Sequence, residues 1–63
     1  MNPYEIKRLR QEHAISLIEL AAWTGLPSSL IEQIEERKAV ALDSDLKRIE
    51  EALLRLVRER EDS

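Results

Sequence analysis

The fold of this chain is encoded most clearly in residues 16–35, which read SLIELAAWTGLPSSLIEQIE. Ser16 is followed three residues later by Glu19, a pair that caps the start of a helix. Gly25 then interrupts the helical pattern, because glycine tolerates the positive φ at which many helices end. Pro27 restarts the pattern, since proline suits the first turn of a helix. The segment therefore predicts two short helices joined by a tight glycine turn.

The apolar residues around the turn have the spacing that packs such a pair of helices. Ala21, four positions before Gly25, is small enough to let the second helix approach the first. Ile31 and Ile34 follow the glycine by six and nine positions and bury the inner face of the second helix, and Leu26 fills the space beneath the turn. This arrangement is a helix-turn-helix. A generic small bundle of four helices is the alternative interpretation.

Helical patterns also flank this unit, and no part of the chain shows the alternation of a strand. Asn2 is positioned to cap the first helix, and Asp43 or Ser44 to cap the last. The predicted elements are a helix from Pro3 to about His13, helices over 16–24 and 27–36, a connector over 37–42 and a helix over 43–61. The sequence thus predicts one all-α, four-helix domain, 1–63, with the helix-turn-helix unit at about 16–36 and an extended C-terminal helix at about 43–61.

Composition narrows the class of function. The chain has 63 residues, a single histidine, no cysteine and a net charge of −3. A disulfide framework is excluded, and an enzyme, a metal site or a cofactor site is not expected from so little catalytic material. No apolar run approaches the roughly 20 residues of a membrane span and no secretion signal is evident, so we expect a cytoplasmic protein. His13 is expected at a helix end, against the terminal carbonyls.

Several motifs recur at the spacing of a known family. They are Ile6-Lys-Arg-Leu-Arg10, Ser16-x-x-x-Leu20-Ala21-x-x-Thr24-Gly25-Leu26, Ile31-x-x-Ile34-Glu35 and Leu46-x-x-Ile49. Over residues 6–53 the chain resembles the Cro/C1-type (XRE-type) helix-turn-helix domains of phage repressors and bacterial regulators. The resemblance implies a compact lambda-repressor-like fold that binds duplex DNA. It also implies an ion pair between Arg10 and Glu35 that holds the first helix against the third.

By the same resemblance, the third helix would enter the major groove and read bases with its outward side chains. Those side chains are Ser28, Ser29, Glu32 and Gln33. Glutamine can bind adenine through two hydrogen bonds, and a glutamate can accept one from cytosine. Phosphate contacts would fall to cations beside the helix, namely Arg8, Arg37 and Lys38, with Lys7 as a further candidate.

The chain departs from the family pattern near this surface. The family usually has Gln at the position of Leu17, often Gly at that of Ala14, and Asn-Gly at those of Glu36 and Arg37, before the shared Lys38. The third helix, 27–35, also contains no lysine or arginine. Its charge is therefore less favourable to DNA than is usual for the family.

These departures favour a second interpretation. Membrane-anchored, cytoskeleton-linked proteins of the RodZ type carry a similar domain, favour Ser-Leu at the start of its second helix, and use it to bind protein. Here the corresponding face has Leu17, Ile18 and Trp23, a possible surface for a protein partner. Trp23 would be an anchor of such an interface or, alternatively, a cover for the edge of the core.

The last helix has more apolar residues than one small core needs. Leu46, Ile49 and Leu53 are expected to close the bundle over the first helix. Leu54, Leu56 and Val57 would then lie uncovered near the free end and form the interface of a homodimer, whose two-fold symmetry would suit a palindromic DNA site. The alternative is a solvated helix end kept in water by its charged residues.

Overall fold

The chain folds into four helices and, within residues 1–62, no strand. These residues are described by a computed structural model, and Ser63 of the predicted 1–63 domain lies outside them. The elements are α1 (Pro3–Glu12), α2 (Leu17–Thr24), α3 (Ser28–Glu35) and α4 (Asp43–Glu61). The predicted all-α, four-helix architecture is confirmed.

Two of the predicted helix caps are present. The Asn2 side-chain oxygen accepts a hydrogen bond from the Glu5 backbone N–H at 2.8 Å. The Ser16 hydroxyl accepts one from the Glu19 N–H at 3.0 Å. Each cap satisfies a backbone donor that the helix itself leaves unpaired, so the starts of α1 and α2 are set by short-range interactions.

The starts of the other two helices differ from the prediction. Pro27 is the N-cap residue of α3 rather than its first helical residue. Leu42, and not Asp43 or Ser44, is the N-cap of α4, and it makes no side-chain hydrogen bond there. Asp43 is already helical, so its carboxylate, with that of Asp45, stabilises the first turn through the helix dipole instead.

The core is built from the aliphatic residues expected on the inner faces of the helices. Its fully buried members include Ile6, Leu20, Ile31, Ile34, Ile49 and Leu53. Ile15, in the short connection between α1 and α2, is equally buried and was not predicted, because no helical periodicity marks a residue between two helices. The Ile15 side chain joins the core cluster between the ends of these helices.

The helices are arranged so that α1 and α2 separate the other two. Each of α1 and α2 packs against both α3 and α4, whereas the backbones of α3 and α4 do not approach each other. The outward faces of α3 and α4 are therefore separate surfaces.

The expectation about the end of α4 was wrong for two of its three residues. Leu56 and Val57 are buried, at 2% and 8% exposure, while Leu54 is 43% exposed. The last turns of α4 pack along α2, where Arg60 forms an ion pair with Glu19. The chain therefore covers Leu56 and Val57 itself, and these two residues are not available as a dimer interface.

The histidine lies where the sequence placed it. His13 is the C-cap residue of α1. Its Nδ1 lies 3.0 Å from the Leu9 carbonyl oxygen, a geometry that suits an Nδ1–H donor. The same carbonyl also accepts the His13 backbone N–H at 3.2 Å, so the backbone and the ring of His13 both bind it at the end of α1.

Candidate nucleic-acid interface

The turn between α2 and α3 is held by a small hydrogen-bond network. Gly25 has a φ of 76° and donates its N–H to the Ala21 carbonyl at 2.9 Å. The buried Thr24 hydroxyl donates to the same carbonyl at 3.1 Å and accepts the Leu26 N–H at 3.1 Å. The role of Thr24 was not predicted. Its hydroxyl gives the chain a fixed path out of α2 and so sets the direction of α3.

An ion pair fixes the other end of α3. Arg10 Nε and Nη2 donate to the two carboxylate oxygens of Glu35, at 2.8 and 2.9 Å. Arg10 Nη1 also donates to the Ile15 carbonyl at 3.1 Å. The contact implied by the family resemblance is thus present, and it joins α3 to α1 and to the α1–α2 connection. Since both ends of α3 are held, its outward side chains are presented on a rigid element.

The outward face of α3 consists of the four polar side chains predicted for it. Ser29, Glu32 and Gln33 are exposed and Ser28, the first residue of α3, is half-buried. None of these side chains forms a hydrogen bond or ion pair with another residue of 1–62. Their hydrogen-bonding groups are therefore available to an external ligand, and the two serines and Gln33 offer both donors and acceptors.

The predicted phosphate contacts are brought together only in part. Arg8 and Arg37 line one groove of about 450 Å³ between α1 and the end of α3, together with Lys7 and Tyr4. Lys38 does not line this groove. Tyr4 was not predicted, although it shares a helical face with Lys7 and Arg8, three and four positions along α1, and this spacing could have identified it.

The cations of this region are weakly engaged within the protein. Arg8 Nε lies 3.8 Å from Glu12, and Lys38 Nζ lies 3.8 Å from Glu36, in both cases between side chains that are at least 40% exposed. Lys7 and Arg37 have no ion pair within residues 1–62. Exposed ion pairs at such distances contribute little, so all of these cations can turn towards an anion.

The chain adopts left-handed backbone at two positions where the Cro/C1-type domains it resembles often or usually have glycine. Ala14 has a φ of 53° and Arg37 a φ of 60°. Residues with a Cβ are disfavoured in this region by about 1–2 kcal/mol. The substitution of Arg37 for the usual glycine therefore adds a cation beside α3 at some cost in stability.

The three residues predicted to form a surface for a protein partner differ in their exposure. Ile18 is 76% exposed and Trp23 46% exposed, but Leu17 is half-buried and packs against the core. The Arg55 guanidinium lies 4.8 Å from the Trp23 ring centroid, a cation–π contact that ties α4 to α2. Trp23 thus covers the α2–α4 junction while keeping about half of its surface in water.

Comparison with known proteins assigns no family. No protein-family model, curated protein or solved structure matches the chain. Within residues 1–62, none of the helices has the length and apolar character needed to cross a bilayer. The resemblance to the Cro/C1-type domains therefore stays a prediction.

Proposed function

We propose that this chain is a Cro/C1-type (XRE-type) DNA-binding protein, a small cytoplasmic transcriptional regulator that reads duplex DNA with α3. One observation carries the proposal. The outward polar face of α3 has no partners within residues 1–62, while the Gly25 turn and the Arg10–Glu35 pair hold both ends of the helix. Rigid presentation of polar groups is what direct reading of base edges requires.

In this proposal, bases and phosphates are contacted by different side chains. Gln33, Ser29 and Ser28 face base edges in the major groove, and Glu32 selects against bases that offer it no donor. Arg37, Lys38 and Arg8 contact phosphates on the flanking strand. With few cations and a net charge of −3, the protein binds non-specific DNA weakly and depends on base contacts for its affinity.

Selection from a random-sequence duplex pool, followed by binding over a salt series, tests the proposal. We expect an enriched site and an affinity that falls linearly with salt on a log–log plot, because phosphate contacts release counterions. The absence of any duplex binding at about 50 mM salt would overturn the proposal.

Two variants separate the proposed roles. Lys38→Gln should weaken binding to all sequences alike and reduce the salt slope by about one unit. Gln33→Ala should instead relax the preference at one base pair, by about 1–3 kcal/mol. Arg48→Gln, which removes an exposed cation of α4 that is not among the predicted DNA contacts, is the control and should change neither quantity.

A second candidate is a protein-interaction module of the RodZ-like kind, and one observation favours it. The exposed Ile18 and Trp23 are large apolar side chains on α2, and aromatic anchors are common in protein interfaces. Under this candidate the wild type binds no duplex, so the selection experiment distinguishes the two functions.

We also propose that the protein acts as a homodimer. A two-fold dimer carries two copies of α3 and gains stability that a domain of 63 residues has difficulty supplying alone. The interface expected from the sequence is not available, because Leu56 and Val57 are buried in the same chain. A homodimer must then use a different surface.

A further inference from the structure

The outer face of α4 carries a regular stripe of exposed residues. Its members are Lys47, Glu51, Leu54, Arg58 and Glu61, spaced by four, three, four and three positions. This spacing places them along one side of a helix, as in the seam of a two-helix coiled coil. Leu54 stands at the centre and is the exposed large apolar side chain of α4. We call these five residues the outer stripe.

Three of the four charged residues of the outer stripe have no ion pair within residues 1–62. Lys47, Glu51 and Arg58 form no ion pair within residues 1–62, and Glu61 has only a 3.7 Å contact with His13. Lys47 and Glu51 are four positions apart and could pair, yet they do not. By contrast, Arg55 beside the stripe lies 3.8 Å from Glu59 and also over the Trp23 ring.

When the outer stripe is read backwards, each charged position meets a charge of the opposite sign. Read from Lys47 to Glu61, it is positive, negative, Leu54, positive, negative. An antiparallel second copy would set Lys47 against Glu61, Glu51 against Arg58 and Leu54 against its own copy. A parallel copy would set each charge against its like, which is unfavourable.

We propose that a second copy of this chain docks on the outer stripe, with α4 antiparallel to its copy and the two-fold axis at Leu54. The proposal rests on the homodimer proposed above and names its surface. Such an interface is isologous, since each pair of unlike charges occurs twice. Apart from the 3.7 Å contact of Glu61 with His13, its charged side chains have no ion pair within residues 1–62.

The dimer has a consequence for DNA. The outer stripe shares no residue with the proposed DNA-contacting face of α3, and the backbones of α3 and α4 do not approach each other. The dimer would therefore carry two copies of that face.

The association is expected to be weak and sensitive to salt. One leucine per chain supplies its apolar centre, and exposed ion pairs contribute little and are screened. Sedimentation equilibrium of the wild type should show a monomer–dimer equilibrium at high micromolar concentration that weakens as salt is raised. A wild type that stays monomeric in this range at low salt overturns both the homodimer and the surface.

Charge reversal tests the surface itself. Glu51→Arg and Arg58→Glu should each weaken dimerisation by about tenfold, because each turns two attractive pairs into repulsive ones. The double variant restores unlike charges and should return the dissociation constant to within about twofold of the wild type. Glu12→Arg makes the same charge change as Glu51→Arg, but on α1. It is the control and should dimerise like the wild type. Circular dichroism identifies any variant that fails to fold.

Cysteine cross-linking tests the direction of the helices, since the chain has no cysteine of its own. Lys47→Cys mixed with Glu61→Cys should form a disulfide-linked heterodimer on oxidation, whereas Lys47→Cys alone should not link to itself. Self-linking of Lys47→Cys would indicate parallel helices and overturn the proposal.

If the wild type dimerises but neither charge reversal nor cross-linking shows an effect, the homodimer stands and the outer stripe is the wrong surface. DNA binding by a monomer would leave the proposed DNA function in place.

Discussion

Glu35 is a buried charged residue and Arg10, its partner, is half-buried, with 2% and 13% of their side chains exposed. Both carboxylate oxygens of Glu35 are occupied by one guanidinium, which is the geometry that offsets the cost of removing the charges from water. The pair therefore serves mainly to orient α3 rather than to add net stability. The pair can orient α3 only when both Arg10 and Glu35 are present.

The first prediction concerns this pair. Glu35→Ala should lower the free energy of unfolding by about 3 kcal/mol, because it leaves the Arg10 charge buried without its partner. Urea unfolding measures the change. Glu32→Ala, an exposed neighbour on the same helix, should change stability by less than about 0.5 kcal/mol. Equal effects of the two variants would contradict the structural role of the pair.

The second prediction concerns the left-handed backbone at Arg37. Arg37→Gly should raise the free energy of unfolding by about 0.5–1 kcal/mol, since glycine reaches a φ of 60° without strain. Ala14→Gly should act in the same direction for the same reason. Lys38→Gly is the control and should destabilise, because Lys38 has no positive φ. If Arg37→Gly destabilised as much as Lys38→Gly, the strain would not be present.

At the scale of the elements, Ala21 fixes the end of α2 at the turn that leads to α3. Its carbonyl accepts hydrogen bonds from both the Gly25 N–H and the Thr24 hydroxyl, and its side chain packs against the core. A larger side chain there would push α3 away from α2. The neighbouring Ala22 is exposed and has no such constraint.

The third prediction tests this crossing. Ala21→Leu should destabilise the protein by about 1–3 kcal/mol by overpacking the contact between α2 and α3. Thermal melting or urea unfolding would detect the change. Ala22→Leu adds the same volume to the exposed side of the helix and should leave the melting temperature nearly unchanged. An unchanged melting temperature for Ala21→Leu would argue against close packing at the turn.

At the scale of the whole molecule, one face of the end of α4 is covered by other helices and another face is exposed. Leu56 belongs to the core cluster, whereas Leu54, two residues earlier, lies on the outer face. The same residue type on one helix thus has two different environments. The difference arises from the packing of α1 and α2 against one side of α4 only.

The fourth prediction uses this difference. Leu56→Ala should lower the free energy of unfolding by about 2–5 kcal/mol through the lost burial and the cavity left behind. Leu54→Ala should change it by less than about 1 kcal/mol when unfolding is measured on dilute, monomeric protein. Comparable losses would mean that the monomer covers Leu54 as well.

The sequence by itself determined the features that depend on short-range interactions. The caps at Asn2 and Ser16, the glycine turn and the approximate bounds of all four helices come from hydrogen bonds and backbone preferences that span a few residues. The residues on the outer face of α3, like its contact with Arg10, were expected from the family resemblance instead. Caps, turns and helix bounds can be recognised directly in the amino-acid sequence, because they depend on neighbouring residues.

Only the tertiary structure decided which of several apolar residues are buried and which of several charged residues lie close together. Periodicity could not show that Leu56 is covered and Leu54 is not, because coverage depends on which helices flank α4. It could not place Arg8 and Arg37 in one groove, since they are brought together by the packing of α1 against the end of α3. Burial and proximity between distant residues are set by the arrangement of the helices, and a one-dimensional pattern does not contain that arrangement.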